Sequence, residues 1–302
     1  MGEQDGLHGP VAVVGAGVMG RGIAYVAAVA GAPTRLIDLD KDQLAAALDA
    51  IQQDLDGGVA RGKVTQDAAA RARELLTTTT DLVEGCSDAT LVVEAVVERM
   101  DVKHQVMRTA ESAATRGAII ASNTSAMSIT EIAAALDDPS RCCGMHFFNP
   151  VPKMRLCELV RGLQSSDVTM AAASAAAQAM GKQTVVVNDL PGFATSRLNA
   201  LIGNEGMRML EEGVASPEDI DTAVKLALNH PMGPLEMGDL VGLDTRLLIL
   251  DHLAETLGDR FRPTNLQRRL VAAGRYGRKS GHGVYRYDDD GQRVDEPSDL
   301  GR

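Results

Sequence analysis

From Pro10 onward the chain alternates short runs of continuous apolar residues with longer stretches whose apolar positions recur three and four apart. The first pattern is that of a strand buried on both faces, the second that of an amphipathic helix. The runs predict strands at Val11–Val14, Thr34–Ile37, Thr77–Thr80, Ala89–Ala95, Gly117–Ser122, a stretch from Cys142 through His146, Met154–Val160 and Thr184–Val187. Between them the spacing predicts helices over Gly20–Ala30, Asp101–Thr115 and Asp167–Met180, and one starting at Ser128, with Glu131 as capping-box partner. Residues 41–76 read as a pair of helices standing off the sheet, broken at Gly57-Gly58 and again near Gly62-Lys63. At Asn188-Asp189-Leu190-Pro191-Gly192 the alternation stops. Long helical patterns then cover Phe193–Glu212, Pro217–Leu228 and Leu235–Leu257. The division predicts a first domain over 1–188 and a second over 189–302.

Composition narrows the partners. A formal charge of −11 argues against nucleic acid, because phosphate binding needs a basic surface. No apolar segment approaches the roughly 18 residues of a spanning helix, and no signal peptide is visible, so neither a membrane nor export is expected. The cysteines Cys86, Cys142, Cys143 and Cys157 lack metal-ligand spacing. They read as reduced core thiols of a cytosolic, cytoplasmic protein. The acidic, polar tail from Asp288 is expected to be disordered.

The first strand runs directly into Gly15-Ala16-Gly17-Val18-Met19-Gly20, a full G-x-G-x-x-G at a strand-to-helix junction. Gly15 permits the tight turn, Gly17 lets a pyrophosphate approach the backbone, and Gly20 allows the helix to pack on the strand. The helix that follows offers its free N–H groups and positive dipole end to phosphate. Asp38 ends the second strand eighteen residues after Gly20, where an acid hydrogen-bonds the adenine-side ribose diol and repels a 2′-phosphate. The signature therefore favours NAD over NADP. Together with the alternation it predicts an α/β, Rossmann-type doubly wound sheet with a helix-pair insertion, followed by an all-α C-terminal domain.

Candidate chemistry centres on residues 144–158. His146 lies in one apolar run, Pro150 and Pro152 turn the backbone, and Glu158 lies in the next run. A strand, a proline-bounded turn and a second strand bring an imidazole beside a carboxylate, the general form of a base held by an orienting group. The same pair also suits a core histidine with a structural carboxylate. Asn123-Thr124-Ser125 follows the fifth strand, at the end where open α/β sheets place ligands. Lys63 lies at the turn of the helix pair and reads as a solvated cation before it reads as a ligand contact. His230, before a proline, reads as a structural contact.

Taken together these motifs resemble the L-3-hydroxyacyl-CoA dehydrogenase family, most closely its short-chain, 3-hydroxybutyryl-CoA branch. The carriers are Gly15–Gly20, Ser122-Asn123-Thr124-Ser125, the Gly-Met-His-Phe-Phe-Asn-Pro-Val-Pro stretch at 144–152, Pro191-Gly192-Phe193, Asn229–Glu236 and Gly277–Gly281. The resemblance covers about Val11 to Tyr287. It implies NAD-dependent oxidation of a (S)-3-hydroxyacyl-CoA to the 3-oxoacyl-CoA, or the reverse. In it His146 matches the base, Glu158 its orienter and Ser125 a substrate contact. Glu98, Lys103, Asn149 and Lys279 match nicotinamide-side contacts, and Lys63 matches a coenzyme A contact on the helix pair. Where the family pattern has Asn before an Arg, this chain has Ser196 before Arg197. Ser196 is shorter by an amide but keeps a donor and an acceptor. The resemblance also implies a homodimer through the C-terminal domain, consistent with the unbroken apolar run Leu247-Leu248-Ile249-Leu250. Two other readings stay open: a hydroxy-acid dehydrogenase without CoA, resembling L-gulonate dehydrogenase or λ-crystallin, and a non-catalytic NAD-binding protein.

Overall fold

The computed structural model describes residue 7 and residues 9–300, and the chain divides into two units, Met1–Leu190 and Pro191–Arg302. The first unit is built on one eight-stranded sheet. In chain order its elements are β1 (Val11–Val14), α1 (Val18–Val29), β2 (Thr34–Ile37), α2 (Lys41–Ala60), α3 (Gln66–Leu75), β3 (Leu76–Thr79), α4 (Leu82–Cys86) and β4 (Leu91–Glu94). There follow α5 (Met100–Ala113), β5 (Ile119–Ser122), α6 (Ile129–Ala133), β6 (Cys142–Phe147), β7 (Leu156–Arg161), α7 (Asp167–Ala179) and β8 (Gln183–Asn188). The strand order is β3-β2-β1-β4-β5-β6-β7-β8. Neighbours run parallel except β6 and β7, which form an antiparallel pair. Val11 to Val14 are buried on both faces, as the interior strand of a covered parallel sheet must be. Helix starts are set by short polar side chains: Asp40 accepts from the N–H groups of Asp42 and Gln43, Thr65 from Ala68, and Ser166 from Thr169.

One expectation for the helix pair is corrected. The backbone does not break at Gly57-Gly58, because α2 runs through both glycines to Ala60. Gly58 instead clears the returning chain: a Cβ there would stand 3.1 Å from Val64 and 3.2 Å from the Tyr25 hydroxyl. The pair packs on α1. Leu44, Ala47, Ile51, Leu55, Ala69 and Ala72 are buried in one core with Ile23 and Ala27 of α1, since an apolar stripe on each helix needs cover.

The second unit is helical: α8 (Thr195–Glu211), α9 (Pro217–Ala227), α10 (Pro234–Val241), α11 (Leu243–Leu257) and α12 (Asn265–Ala272). The single helix expected over Leu235–Leu257 is two, because Gly242 adopts φ 101 and ends α10. That conformation is open to glycine and strained for other residues. Buried Asp239 ties the unit's end together, accepting from the backbone N–H groups of Val284 and Tyr285 and from the Tyr287 hydroxyl. The expected disorder of the tail is also corrected for residues 288–300, while 301–302 lie outside the described residues. Arg293 stacks 3.6 Å from the Tyr285 ring centroid, Ser298 donates to the Val284 carbonyl, and Asp299 pairs with Arg275. Specific partners order a segment whose composition alone reads as solvated.

Asp189, just after β8, is held in the first unit. Its carboxylate accepts from the Ser128 hydroxyl at 2.7 Å and from the N–H groups of Ile129 and Thr130 at 3.0 and 2.8 Å. Ser128 caps α6 through the Glu131 N–H, and the long-range acid completes the cap. Among the described residues no helix is long and apolar enough to cross a membrane, and no group of acids, histidines or cysteines could hold a metal ion.

Candidate active site

The glycine loop follows the logic of its sequence. Gly15 sits at φ +106, and a Cβ there would stand 2.6 Å from the Ala95 carbonyl oxygen. At Gly20 a Cβ would fall 1.7 Å from the Gly15 carbonyl, so only hydrogen fits between helix and turn. Gly17 is the opposite case: a Cβ there would meet nothing within 4 Å. Ala16 is buried, Val18 is exposed, and no side chain caps the first turn of α1. Its leading N–H groups are thus available to an anion. Asp38 accepts from Ala16 N–H at 2.7 Å and from Asp40 N–H at 3.1 Å, which fixes the acid against the loop. Open backbone at Gly17, an uncapped helix start and an anchored acid fit a dinucleotide.

On the other half of the sheet, the antiparallel register pairs His146 directly with Glu158 across β6 and β7. His146 Nδ1 lies 2.8 Å from Glu158 Oε2. Both side chains are buried, Glu158 entirely and His146 at 6% exposure. A carboxylate in this position accepts from Nδ1–H, which fixes the imidazole tautomer. Phe148 packs on the imidazole with ring centroids 4.4 Å apart.

The turn between the two strands is pinned from two sides. Val151 seats against Gly22 of α1, where a Cβ would come within 2.8 Å of it. Lys182, directly before β8, donates to the carbonyls of Val151 (2.5 Å) and Met154 (2.9 Å), and burial lowers its pKa. Asn149, exposed, precedes Pro150 through a cis peptide bond.

Ser125 is exposed in the loop leaving β5, the strand next to β6. Asn123 bridges the two, its Oδ1 accepting from the Phe147 N–H at 2.9 Å. The Ser125 N–H donates to Glu98 Oε1 at 3.1 Å, and the Thr124 hydroxyl donates to the same oxygen at 2.9 Å. Glu98 Oε2 lies 3.0 Å from Lys103 Nζ. Lys103 is only 1% exposed and is also held by both oxygens of Glu94, at 2.8 and 3.0 Å. Glu94 and Lys182 are positions that pattern reading passed over, because an acid or a lysine in a sequence carries no mark of burial.

Lys63 is exposed at the tip of the helix pair and lines a cavity of about 300 Å³ with Tyr25, Lys153, Met154, Arg155 and Lys182. The remaining lining residues include no acid, so the cavity is cationic in a chain of net charge −11. Ser196 and Lys279 belong to the second unit. Ser196 is half-buried in the first turn of α8. Lys279 Nζ is 2.7 Å from the Asp244 carboxylate and 5.6 Å from the Tyr276 ring centroid.

Residues 10–190 match the model of the 3-hydroxyacyl-CoA dehydrogenase NAD binding domain, and residues 192–287 that of the 3-hydroxyacyl-CoA dehydrogenase C-terminal domain. The chain is 42% identical over 280 residues to a probable 3-hydroxybutyryl-CoA dehydrogenase of Bacillus subtilis, covering 92% of this chain and 97% of that one. It is 43% identical to 3-hydroxybutyryl-CoA dehydrogenase of Mycobacterium tuberculosis, over 92% and 98% of the two chains. The crystal structure of (S)-3-hydroxybutyryl-CoA dehydrogenase from Ralstonia eutropha is similar with a TM-score of 0.89 at 40% identity, covering 93% of this chain and 99% of that one. With its glycine loop and both halves matched, the chain belongs to the 3-hydroxyacyl-CoA dehydrogenase family, an NAD-dependent oxidoreductase with a Rossmann-type first unit and a helical second one.

Proposed function

We propose that this enzyme interconverts short-chain (S)-3-hydroxyacyl-CoA and 3-oxoacyl-CoA, with 3-hydroxybutyryl-CoA as the favoured substrate and His146 and Glu158 as a catalytic pair. The observation that carries the reading is the buried 2.8 Å contact between His146 Nδ1 on β6 and Glu158 Oε2 on β7, with the Ser125 loop leaving the adjoining strand β5. Glu158 engages Nδ1, so Nε2 is the nitrogen that removes the 3-hydroxyl proton, and Glu158 stabilises the imidazolium that forms. Ser125 hydrogen-bonds the reacting oxygen. NAD would be held by residues 15–20 and Asp38, with Glu98 and Asn149 on its nicotinamide side and buried Lys103 behind Glu98, and would supply the hydride acceptor for C3. The cationic cavity beside Lys63 suits the phosphates of coenzyme A, which favours an acyl-CoA over a free hydroxy acid.

The second unit also supplies the interface of a homodimer. On α11 Leu250 is buried while Leu248 is 73% exposed, an apolar residue in need of cover. Four buried free cysteines suit the cytoplasm. Steady-state reduction of acetoacetyl-CoA, compared with longer 3-oxoacyl-CoA substrates and with oxidation of L-gulonate, tests the substrate. A preference for the sugar acid overturns the reading. Light scattering at micromolar concentration tests the dimer, and a monomeric mass refutes it.

A further inference from the structure

We infer that Glu94, at the end of β4, is a positioning residue that acts on Ser125 through Lys103 and Glu98. The inference rests on the role proposed for Ser125 above. Glu94 is fully buried at the carboxyl edge of the sheet, in register with Val14 on one side and Ser122 on the other. Its Oε1 accepts from Lys103 Nζ at 2.8 Å and from the Val96 N–H at 2.7 Å. Its Oε2 accepts from Lys103 Nζ at 3.0 Å and from the Ser122 hydroxyl at 2.6 Å. Every partner is a donor, so the site requires a group that only accepts, as an ionised carboxylate does.

Two routes lead from Glu94 to Ser125. The short one runs along the chain: the Ser122 oxygen held by Glu94 accepts from the Thr124 N–H at 3.3 Å. The long one is ionic. Lys103 lies between Glu94 and Glu98, and the other oxygen of Glu98 holds the Thr124 hydroxyl and the Ser125 N–H. The Thr124 oxygen in turn accepts from Met127 N–H at 3.0 Å, closing the loop on itself. Glu94 is buried, whereas the Glu98 side chain is 46% exposed. Glu94 is therefore the fixed end of the ionic relay and Glu98 the adjustable end. Removing the charge of Glu94 leaves Lys103 buried with one carboxylate in place of two. A buried ammonium so deprived draws its remaining partner closer, and Glu98 can approach Lys103 only by loosening its hold on Ser125. Lys103, at 1% exposure, acts through these carboxylates on the loop.

Glu94→Gln keeps the shape and replaces one acceptor by a donor facing donors. The test is a double-mutant cycle with Ser125→Ala, read in kcat/KM for acetoacetyl-CoA at saturating NADH, alongside amide hydrogen exchange over residues 123–127. Glu94→Gln is expected to lower kcat/KM about 30-fold in the parent enzyme and less than about 3-fold when Ser125 is already Ala, since residues acting as one unit fail together. Exchange at 123–127 is expected to rise about tenfold while β6 keeps its protection. Ser122→Ala, a milder change, should follow the same pattern with smaller losses, and carries the cycle if Glu94→Gln does not fold. Equal losses in both Ser125 backgrounds, or unchanged exchange at 123–127, overturn the inference. A parent enzyme inactive on acetoacetyl-CoA overturns the proposed substrate instead, and the exchange measurement still decides the role of Glu94 without turnover.

Discussion

Glu158→Gln is the sharpest perturbation of the proposed catalytic pair, because it removes a charge and almost no volume. The strand register and the hydrogen bond to His146 Nδ1 can both survive, since the amide oxygen still accepts. What is lost is the counter-charge for an imidazolium formed in the transition state, 2.8 Å away with the carboxylate fully buried. A hydrogen bond to a charged group contributes roughly 1.5–3 kcal/mol, which corresponds to about 10- to 150-fold in rate. A Coulomb estimate with an effective dielectric near 20 and charges about 4 Å apart gives roughly 4 kcal/mol, or about 10³-fold. We therefore expect kcat to fall by roughly 10²–10³-fold, with NADH affinity almost unchanged because the dinucleotide loop lies on other strands. His146→Gln should abolish turnover, and the double variant should be scarcely slower than His146→Gln alone. Acetoacetyl-CoA reduction followed by NADH absorbance, with NADH affinity and melting temperature of each variant, checks this. A Glu158→Gln enzyme that folds and keeps kcat within about threefold refutes the assignment and returns the pair to a structural role.

Three further outcomes follow from other parts of the molecule. Asp38→Ser should cost NADH and favour NADPH, each by about tenfold in kcat/KM, since a carboxylate repels a 2′-phosphate; an unchanged coenzyme ratio counts against the ribose assignment. All four cysteines are buried and free, and burial pushes Cys86 up to about 11 and Cys143 to about 12. Native enzyme should therefore resist iodoacetamide at neutral pH, and rapid labelling with loss of activity contradicts the burial. Burial also pushes Asp239 up to about 6, against the three donors that hold it down. Its folded pKa lies above the ordinary carboxylate value of about 3.9. Its contribution is then full below about pH 4 and lost as pH rises through 6, up to ~3 kcal/mol in all. The difference in unfolding free energy between the parent and Asp239→Asn should change across that window, and a constant difference refutes it.

What the sequence makes legible here is what repeats or punctuates. The buried strand before Gly15 and the glycine spacing are dictated by local backbone demands, so they read correctly in one dimension. His146 and Glu158 are legible because two prolines force a return and period-two alternation then puts both on one face. Lys103 and Glu98 carry no such mark: charges of this kind usually lie in water, and only the carboxylates of Glu94 and Glu98 together make a buried lysine tolerable. Gly57-Gly58 reads as a break because glycine weakens helices, yet the packing of Tyr25 and Val64 outweighs that preference. Gly242 carries the opposite lesson, since its surroundings look helical and only its φ ends the helix. The tail defeats composition because its order comes from single long-range partners such as Tyr285 and Arg275.

Asp189 determines where this polypeptide can be severed. The last strand, β8, ends at Asn188, which invites stopping an isolated dinucleotide-binding fragment there. Such a fragment would lack the acid that receives three donors at residues 128–130, some sixty positions upstream. Losing a helix cap costs about 1 kcal/mol, and here the turn, left with Ser128 alone as its cap, follows the loop that carries Ser125. Extending the fragment by two residues, through Leu190, restores the carboxylate. The natural terminus of the fold is thus a side chain beyond its last strand, and a fragment two residues short would show impaired substrate handling that had nothing to do with the missing helices.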